Sequence, residues 1–581
     1  MVYRKFIFLM VFSFLGLAGY SCDDEEEKKD VLEVNSTEIN LSSDGGSGTF
    51  TLHTTADSWE IESSGNEWIE LSKDSGTTEE SMVTVTASGK TLESRTAVLT
   101  IRAGNAEPVE VTINQESSKY LYSLEVDVEE IAFKMTGGSE PIELTTDAPE
   151  WMIDVGVDWL EIDKASGENS EETITITAEK NNSGSERNAT IKIKAEYAPF
   201  VEISVSQPAL YPSYNTSALE PDKTGVEKNA SQLADEMIIG WNIGNTLEVP
   251  ASDGGETGWG NPKVTRQLIE KVKEAGFNAI RIPCAWDSYA DQETAEIDDV
   301  WLQRVQEVVD YCIENNLYVV LNSHWDGGWL EENPVYDKQE EVNLKQKAFW
   351  EQIATYFRDY DEHLLFAGTN EVHEDYGEPS SENIEVQESY NQTFVDAVRS
   401  TGGKNAYRNL VVQTYNTNIA HGLEYFSLPE DEAEDRLMVE VHYYDPYNFT
   451  LNSDIDNACT QWGEPFADGD VCDWGQESYV DDQFSRLKQT FVDQGVPVII
   501  GEYGVIHRTS LTGDAYDKHV EARNYYLEYV TRTAVDNGIT PFYWDNGHDG
   551  DGGFALFDRS SGEVVDEPAL NALMKGAGVI E

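Results

Sequence analysis

Two glutamates stand where apolar runs of the sequence stop. Glu371 follows "LLFAGTN" (364–370), and Glu502 closes "PVIIGE" (497–502). A carboxylate at the edge of an apolar core is costly unless it is paired or used. Two together have a definite use. One, protonated, assists the departure of a glycosidic oxygen; the other, ionised, attacks the anomeric carbon, with retention when they lie about 5–5.5 Å apart. Other residues suit that chemistry. Arg281 in "NAIRIPCAW" (278–286) is a cation able to keep a neighbouring nucleophile ionised. Asn370, His324, His442 and Tyr444 supply hydrogen bonds, and Trp544 offers a flat apolar face for the C–H surface of a pyranose.

Residues this far apart share a site only if the elements carrying them end on one face. Eight short apolar runs are candidates: "MIIGWNIGN" (237–245), "NAIRIPCAW" (278–286), "YVVLNSHW" (318–325), "LLFAGTN" (364–370), "NLVVQTY" (409–415), "RLMVEVHYY" (436–444), "PVIIGEY" (497–503) and "TPFYWDN" (540–546). Between them, sets such as Trp301/Val305/Val308/Val309/Cys312 and Phe349/Ile353/Tyr356/Phe357 follow the 3–4 spacing of amphipathic helices. Eight β-then-α units predict an α/β fold, a (β/α)8 TIM barrel. Nearly every run changes character at its C-terminal end: Trp241-Asn242, Arg281 and Trp286, His324-Trp325-Asp326, Asn370-Glu371, His442 and Tyr444, Glu502, Trp544. In such a barrel those ends converge on the face that carries the active site.

The motifs "GWNIGNTLE" (240–248), "ETGWGNP" (256–262), "AGFNAIRIPCAW" (275–286), "LNSHWDGGW" (321–329), "FAGTNEVH" (366–373), "VHYYDPYNF" (441–449), "IIGEYG" (499–504) and "FYWDNG" (542–547) occur in order across 226–581. This region resembles glycoside hydrolase family 5, of clan A. The resemblance implies that Glu371 is the general acid/base and Glu502 the nucleophile. By the same resemblance Asn370 holds the sugar 2-hydroxyl, Arg281 and Tyr444 set the nucleophile, and His442 serves the acid/base. His324 and Trp544 would line the subsite at the scissile bond, with Asn242 supporting. Many members carry two adjacent histidines where this chain has His324-Trp325; Trp325 would supply a stacking surface instead.

"WNIGNTLE" and "ETGWGNP" resemble the endo-β-1,4-glucanase branches. They imply retaining endo-hydrolysis of cellulose, xyloglucan or mixed-linkage β-glucan by double displacement. A β-mannanase using the same machinery is the alternative. So is a non-catalytic surface glycan-binding protein, against which both carboxylates are retained. An aldolase-like barrel would need a Schiff-base lysine at a strand end, and none of the eight ends carries one. No cofactor is expected. No metal is expected either: no CxxC or Cys/His spacing suggests zinc, and "HDGDGG" (548–553) lacks the spacing of an EF-hand. Trp259, Trp329, Trp462 and Trp474 lie in loops and read either as a cleft along a glycan or as loop anchors.

Residues 31–210 have a different texture. Trp59, Trp68, Ser75-Gly76, Arg95 and Gln115 return, at a nearly constant offset, as Trp151, Trp159, Ser166-Gly167, Arg187 and Gln207. Within each unit the pattern alternates with period two, as in "TAVLTIRA" (96–103) and "ATIKIKAE" (189–196). That predicts two all-β immunoglobulin-like sandwiches, over 31–118 and 119–210. The landmarks resemble BACON domains, a family expected to bind carbohydrate or mucin. The four tryptophans read equally as core, and the favoured reading is that the sandwiches are spacers. "YPSYNTSALEPDKTG" (211–225) reads as a linker before the 226–581 domain.

The N-terminus pairs Arg4 and Lys5 with an apolar run from Phe6 to Tyr20, then Cys22 and the acidic "DDEEEKKD". This resembles a lipoprotein signal over 1–21 with acylation at Cys22 and an acidic tether over 22–30. It implies a lipid-anchored outer-membrane protein facing the cell surface. Of five cysteines, Cys284 and Cys312 read as buried thiols, and Cys459 and Cys472 flank one loop and are candidates for a disulfide. A formal charge of −70 over 581 residues repels nucleic acid and anionic surfaces and suits a neutral glycan. A monomer is expected, touching the membrane only through the lipid.

Overall fold

A computed structural model describes residues 28–63, 67–77 and 79–581. The signal segment 1–21, Cys22 and most of the 22–30 tether lie outside the described residues. Among the described residues no helix is long and apolar enough to cross a membrane.

The first repeat folds as two facing sheets. One has the order Leu32–Val34, Gly46–Thr54, Glu80–Ala87, Ile69–Leu71; the other runs Glu38–Leu41, Val109–Gln115, Arg95–Ala103, Trp59–Ser63, Ser75–Gly76. Phe50, Leu52, Val83, Leu99, Ile101, Val111 and Ile113 fill the space between, as period-two alternation requires. In the second repeat the strand Gly138–Asp154 pairs with Leu124–Val126 along one part and with Arg187–Ala195 along another.

The repeat landmarks have physical causes that recur in both copies. Trp59 and Trp151 are buried, and each lies flat against the glycine of its Ser-Gly. A Cβ on Gly76 or Gly167 would come within 2.6 or 2.5 Å of the indole. Arg95 Nε donates to Gln115 Oε1 at 2.9 Å, and Arg187 Nε to Gln207 Oε1 at 2.8 Å. Arg95 also covers Trp68 at 4.5 Å. Trp59 and Trp151 are therefore core.

The catalytic-type domain is a closed barrel of eight parallel strands in sequential order. They are β1 (Gly240–Ile243), β2 (Ala279–Ile282), β3 (Tyr318–Asn322), β4 (Leu364–Ala367), β5 (Leu410–Gln413), β6 (Leu437–Tyr443), β7 (Val498–Tyr503) and β8 (Ile539–Asp545). All eight predicted runs are barrel strands. Alternation divides each strand between the helix-facing core and the barrel interior. Trp241, Ile280, Val319, Phe366, Val412, Val439, Val441 and Ile500 belong to the large outer cluster. Ala279, Val320, Leu365, Val411, Met438, Ile499 and Phe542 form a smaller inner cluster with Leu233 and Met237. The short helix Ala230–Ala234, started by a capping box of Asn229 and Gln232, packs onto that inner cluster and plugs one end of the barrel. One step further along five of the eight strands the interior positions become polar: Asn242, Arg281, Asn322, Gln413 and Glu440, all fully buried. The next step carries the site.

The segment 211–225 is held against the barrel rather than hanging free. Glu351, buried on a barrel helix, accepts hydrogen bonds from Ser213 Oγ, Tyr214 N and Asn215 N at 3.0, 2.6 and 3.0 Å. Cys459 and Cys472 form a disulfide, and Cys284 and Cys312 are buried free thiols. Trp462 is fully buried with its Nε1 on the Gly475 carbonyl, so it is a loop anchor, whereas Trp259 and Trp474 are exposed.

Candidate active site

One irregularity in β7 sets the site. Simple alternation from inward Ile499 would turn Gly501 inward and Glu502 outward. The pairing of β6 with β7 slips instead: Val441 faces Ile500, and the next pair is His442 with Glu502. Gly501 is the extra residue of a β-bulge, and both it and Glu502 face the interior. Gly501 has to be glycine there, because a Cβ would lie 1.9 Å from Glu440 Oε1.

The bulge brings Glu502 beside Glu371, which follows β4. A carboxylate oxygen of each, and a ring nitrogen of His442, all lie within 4.8 Å of one another. Such closeness fits a retaining pair better than the wider separation of an inverting one. Arg281 Nη1 donates to Glu502 Oε1 at 2.9 Å and Tyr444 Oη to Glu502 Oε2 at 3.1 Å. Arg281 Nη2 donates to Asn370 Oδ1 at 2.7 Å. Asn242, fully buried, accepts from Arg281 Nη1 at 3.1 Å and donates to the Gly501 carbonyl at 2.7 Å. Its place is supporting the arginine and the bulge, out of reach of a substrate.

The titration of these groups is shared. Burial alone would push the His442 imidazole down; Glu502, Glu371 and Glu440 around it overcome that and raise it to about 10. Glu371 is likewise pushed up by burial, but its contact with His442 and the nearby Arg281 bring it below its usual value. His442 Nδ1 and Glu371 Oε1 lie 2.6 Å apart and share one proton. Glu502 is raised by burial and by its carboxylate neighbours Glu371 and Glu440, against the pull of His442 and Arg281. Tyr444 is pushed well up by burial and Glu502 and stays a donor.

The remaining predicted residues line the surface above. His324 Nδ1 accepts from Asn322 Nδ2 at 3.1 Å, and its Nε2 lies 3.9 Å from Glu502 Oε1. Burial and the charge of Arg281 hold this ring neutral. It stacks on Trp544, with centroids 5.9 Å apart and planes at 5°. Trp325, anchored through Nε1 to Glu332, faces exposed Trp259 at 6.3 Å. On the Glu371 side a cavity of about 580 Å³ is lined by Tyr376, Asn416, Tyr444, Asp445, Tyr447 and Tyr479. A hollow of about 620 Å³ lies near Tyr289, but there Arg304 is already paired with Glu256 and Glu307.

Two carboxylates in the site were not anticipated. Glu440 lies two residues before His442, on the same strand face, which "VEVHYY" (439–444) shows in its alternation. Glu331, from the loop after β3, accepts from Asn370 Nδ2 at 3.1 Å and from the Glu371 backbone N–H at 3.2 Å. No local pattern marks it. Burial, then the charge of Glu371, raises Glu331 to about 8. Between about pH 4.5 and 8 the folded protein therefore holds a proton that the unfolded chain has released, and this group lowers stability as pH rises. Glu331→Gln removes that slope. Thermal unfolding should show the variant gaining on wild type between pH 5 and 8.5, by roughly a few kcal/mol; a difference independent of pH would contradict the raised carboxyl.

Comparison with known proteins gives the same outline. Residues 244–550 match the family model described as cellulase (glycosyl hydrolase family 5), and residues 57–116 and 150–207 match BACON, described as a putative binding domain. A xyloglucan-specific endo-β-1,4-glucanase of Bacteroides ovatus is 41% identical over 469 residues, 78% of this chain and 91% of that protein. A solved Bacteroides ovatus family 5 xyloglucanase in complex with a XXXG heptasaccharide is 40% identical, with a TM-score of 0.60 over 78% of this chain and all of that one. A broad-specificity endoglucanase from Bacteroides salanitronis is 36% identical, with a TM-score of 0.57 over 61% of this chain and 97% of its own.

Proposed function

Because the chain belongs to glycosyl hydrolase family 5 and is an endo-β-1,4-glucanase with BACON domains before its barrel, we propose that xyloglucan is its main substrate, with Glu371 as acid/base and Glu502 as nucleophile. The observation that carries the mechanism is the close carboxylate pair, one member held by Arg281 and Tyr444 and the other by His442. The sugar ring rests over Trp544, and the Asn370 amide takes its 2-hydroxyl. Glu371 gives a proton to the glycosidic oxygen while Glu502 attacks the anomeric carbon from the opposite face. The C–O bond to the leaving chain breaks and a glycosyl-Glu502 ester forms. Glu371, now a carboxylate, takes a proton from water, whose oxygen displaces Glu502 and restores the original configuration. Tyr444 and Arg281 receive the charge that returns to Glu502.

Xyloglucan is favoured by the named specificity of the relatives that cover most of this chain and by the open, tyrosine-lined cavity on the leaving-group side. Mannan is disfavoured on the same ground, since those relatives are named for β-1,4-glucan. Acylation at Cys22 would tether the enzyme to the outer membrane, with the sandwiches as spacers. Their tryptophans Trp59 and Trp151 are committed to their own cores, which supports that reading. One experiment covers these points: release of reducing ends from xyloglucan, mixed-linkage glucan, carboxymethylcellulose and mannan by intact cells expressing the wild type or Cys22→Ser. Xyloglucan is expected to lead mannan by about 100-fold in kcat/KM, which corresponds to ~2.7 kcal/mol. Activity should stay with the cells in the wild type and leave them in the variant. Mannan as the preferred substrate would overturn the specificity, and a cell-bound Cys22→Ser variant would overturn the anchor.

A further inference from the structure

Glu440 is fully buried beneath the catalytic pair. Three side chains converge on it. Gln413 Nε2 donates to Oε2 at 2.7 Å. His442 Nε2 lies 3.2 Å from Oε1. Arg281 Nε lies 2.8 Å from the same oxygen, in an ion pair whose N–H points off the line of a hydrogen bond. Gln413 cannot turn its amide round, since its Oε1 already accepts from Thr369 N and Oγ1 at 3.0 Å each. A group that takes a fixed amide donor on one oxygen and a guanidinium ion pair on the other is an acceptor-only carboxylate, so the His442 nitrogen that faces it carries the hydrogen. Burial works against that charge, and Arg281, His442 and Gln413 overcome it, so Glu440 titrates below its usual value.

We infer that Glu440 is a positioning residue for the acid step: it fixes the hydrogen of His442 on Nε2 and so leaves the proton between Nδ1 and Glu371 free to be transferred. The inference rests on Glu371 being the acid/base. The imidazole has two tautomers. With Nε2–H pointing at Glu440, Nδ1 either carries the extra proton of an imidazolium or accepts one from protonated Glu371. In both cases one proton in that contact can move to the Glu371 carboxyl and on to the glycosidic oxygen, leaving a neutral imidazole. In the second step Glu371 takes a proton from water and the contact is refilled. With Nε2 bare, the neutral ring carries its only hydrogen on Nδ1. Giving up that hydrogen would make an imidazolate, so Glu371 would be an ionised acceptor with no acid beside it. The other charged groups facing His442 do not choose between its nitrogens from the Nε2 side: Glu371 and Glu502 lie toward Nδ1, and Arg281 and neutral His324 donate no hydrogen bond to the ring among the described contacts. Gly501 is the matching feature of the backbone, since any larger residue would occupy the place of Glu440.

The test compares two aryl β-cellobiosides in one enzyme preparation, so that inactive protein cancels. Dinitrophenolate leaves without a proton; phenolate needs one. Glu440→Met removes the acceptor. Glu440→Asp keeps a charge opposite Arg281 but draws it back from Nε2. Either variant is expected to lower kcat/KM for the phenyl glycoside at least tenfold more than for the dinitrophenyl glycoside, and to move the alkaline limb of the phenyl pH profile to lower pH. Equal losses on both substrates, or an unmoved limb, overturn the inference. Glu371→Ala run alongside separates the two levels. If it too leaves the ratio of the substrates unchanged, the acid/base assignment falls; if it changes the ratio and the Glu440 variants do not, only the role of Glu440 falls.

Discussion

Glu502→Gln is expected to lower kcat on every β-glucan by about 10⁴-fold or more, equivalent to roughly 5.5 kcal/mol in the barrier, while leaving the fold intact. The amide has the shape of the carboxylate and keeps an oxygen for Arg281 Nη1 or for Tyr444 Oη. It has no charge with which to attack the anomeric carbon, so no glycosyl-enzyme forms. Substrate affinity should change little, since the tryptophans and Asn370 that hold the sugar are untouched. The site carries the carboxylates Glu371, Glu440 and Glu502 against Arg281 and His442, with Glu331 protonated up to about pH 8, and removing one negative charge relieves repulsion among the three. Thermal unfolding of the variant is therefore expected at or slightly above the wild-type temperature. The measurements are turnover on xyloglucan and a melting curve. A turnover within tenfold of wild type would show that the nucleophile is another group; a collapsed melting curve would show that the loss came from unfolding.

The place of Glu502 at the end of the seventh strand is legible in the sequence because a (β/α)8 barrel sends every strand end to one face. Eight apolar runs with polar ends are a global pattern that survives local errors of one or two residues. What alternation alone could not place was the side on which Glu502 emerges. Read strictly, "VIIGEY" turns Glu502 toward the helices; only the slip at Gly501 turns it inward. A bulge is a property of two paired strands, and the side chain that requires a glycine in it, Glu440, belongs to the neighbouring strand. Glu331 was invisible for a similar reason. It reaches Asn370 and the Glu371 amide from a loop whose path no periodicity describes. The sandwiches show the opposite case. Their landmarks were legible as a repeat, and each proves to be one half of a contact: indole on glycine, arginine on glutamine. Contacts that close within one domain repeat with it, so the sequence displays them twice. The linker, recognised from its Pro/Ser/Asn content, is held by Glu351, a residue far along the chain that composition cannot reveal.

Glu371→Ala should divide the reaction into its two halves. On xyloglucan, where the leaving group is a sugar alkoxide, loss of the proton donor is expected to lower kcat/KM by about 10³-fold, within the usual range for general acid catalysis. On dinitrophenyl β-cellobioside the first step needs no acid and should proceed at close to its wild-type rate. The second step still needs a base to deprotonate water, and there the variant stalls. Glycosyl-Glu502 then accumulates, so kcat and KM fall together while kcat/KM holds, a signature that simple loss of binding does not produce. Azide is already an anion and needs no base. It fits the space left by the glutamate side chain and should restore turnover on the activated substrate, giving cellobiosyl azide of the β configuration. Retention in that product requires attack on a covalent intermediate from the Glu371 side, so the stereochemistry tests both carboxylates at once. An α-azide would mean direct displacement without Glu502, and absence of rescue with normal folding would mean that the base in the second step is not Glu371. The same experiment bears on His442. In Glu371→Ala the imidazole loses the carboxylate at 2.6 Å that helps hold its pKa near 10, and it should titrate at lower pH. If the ring itself can hand a proton to a departing sugar, activity on xyloglucan will fall less than the dinitrophenyl comparison predicts, and the residual rate will disappear as pH rises through the lowered value.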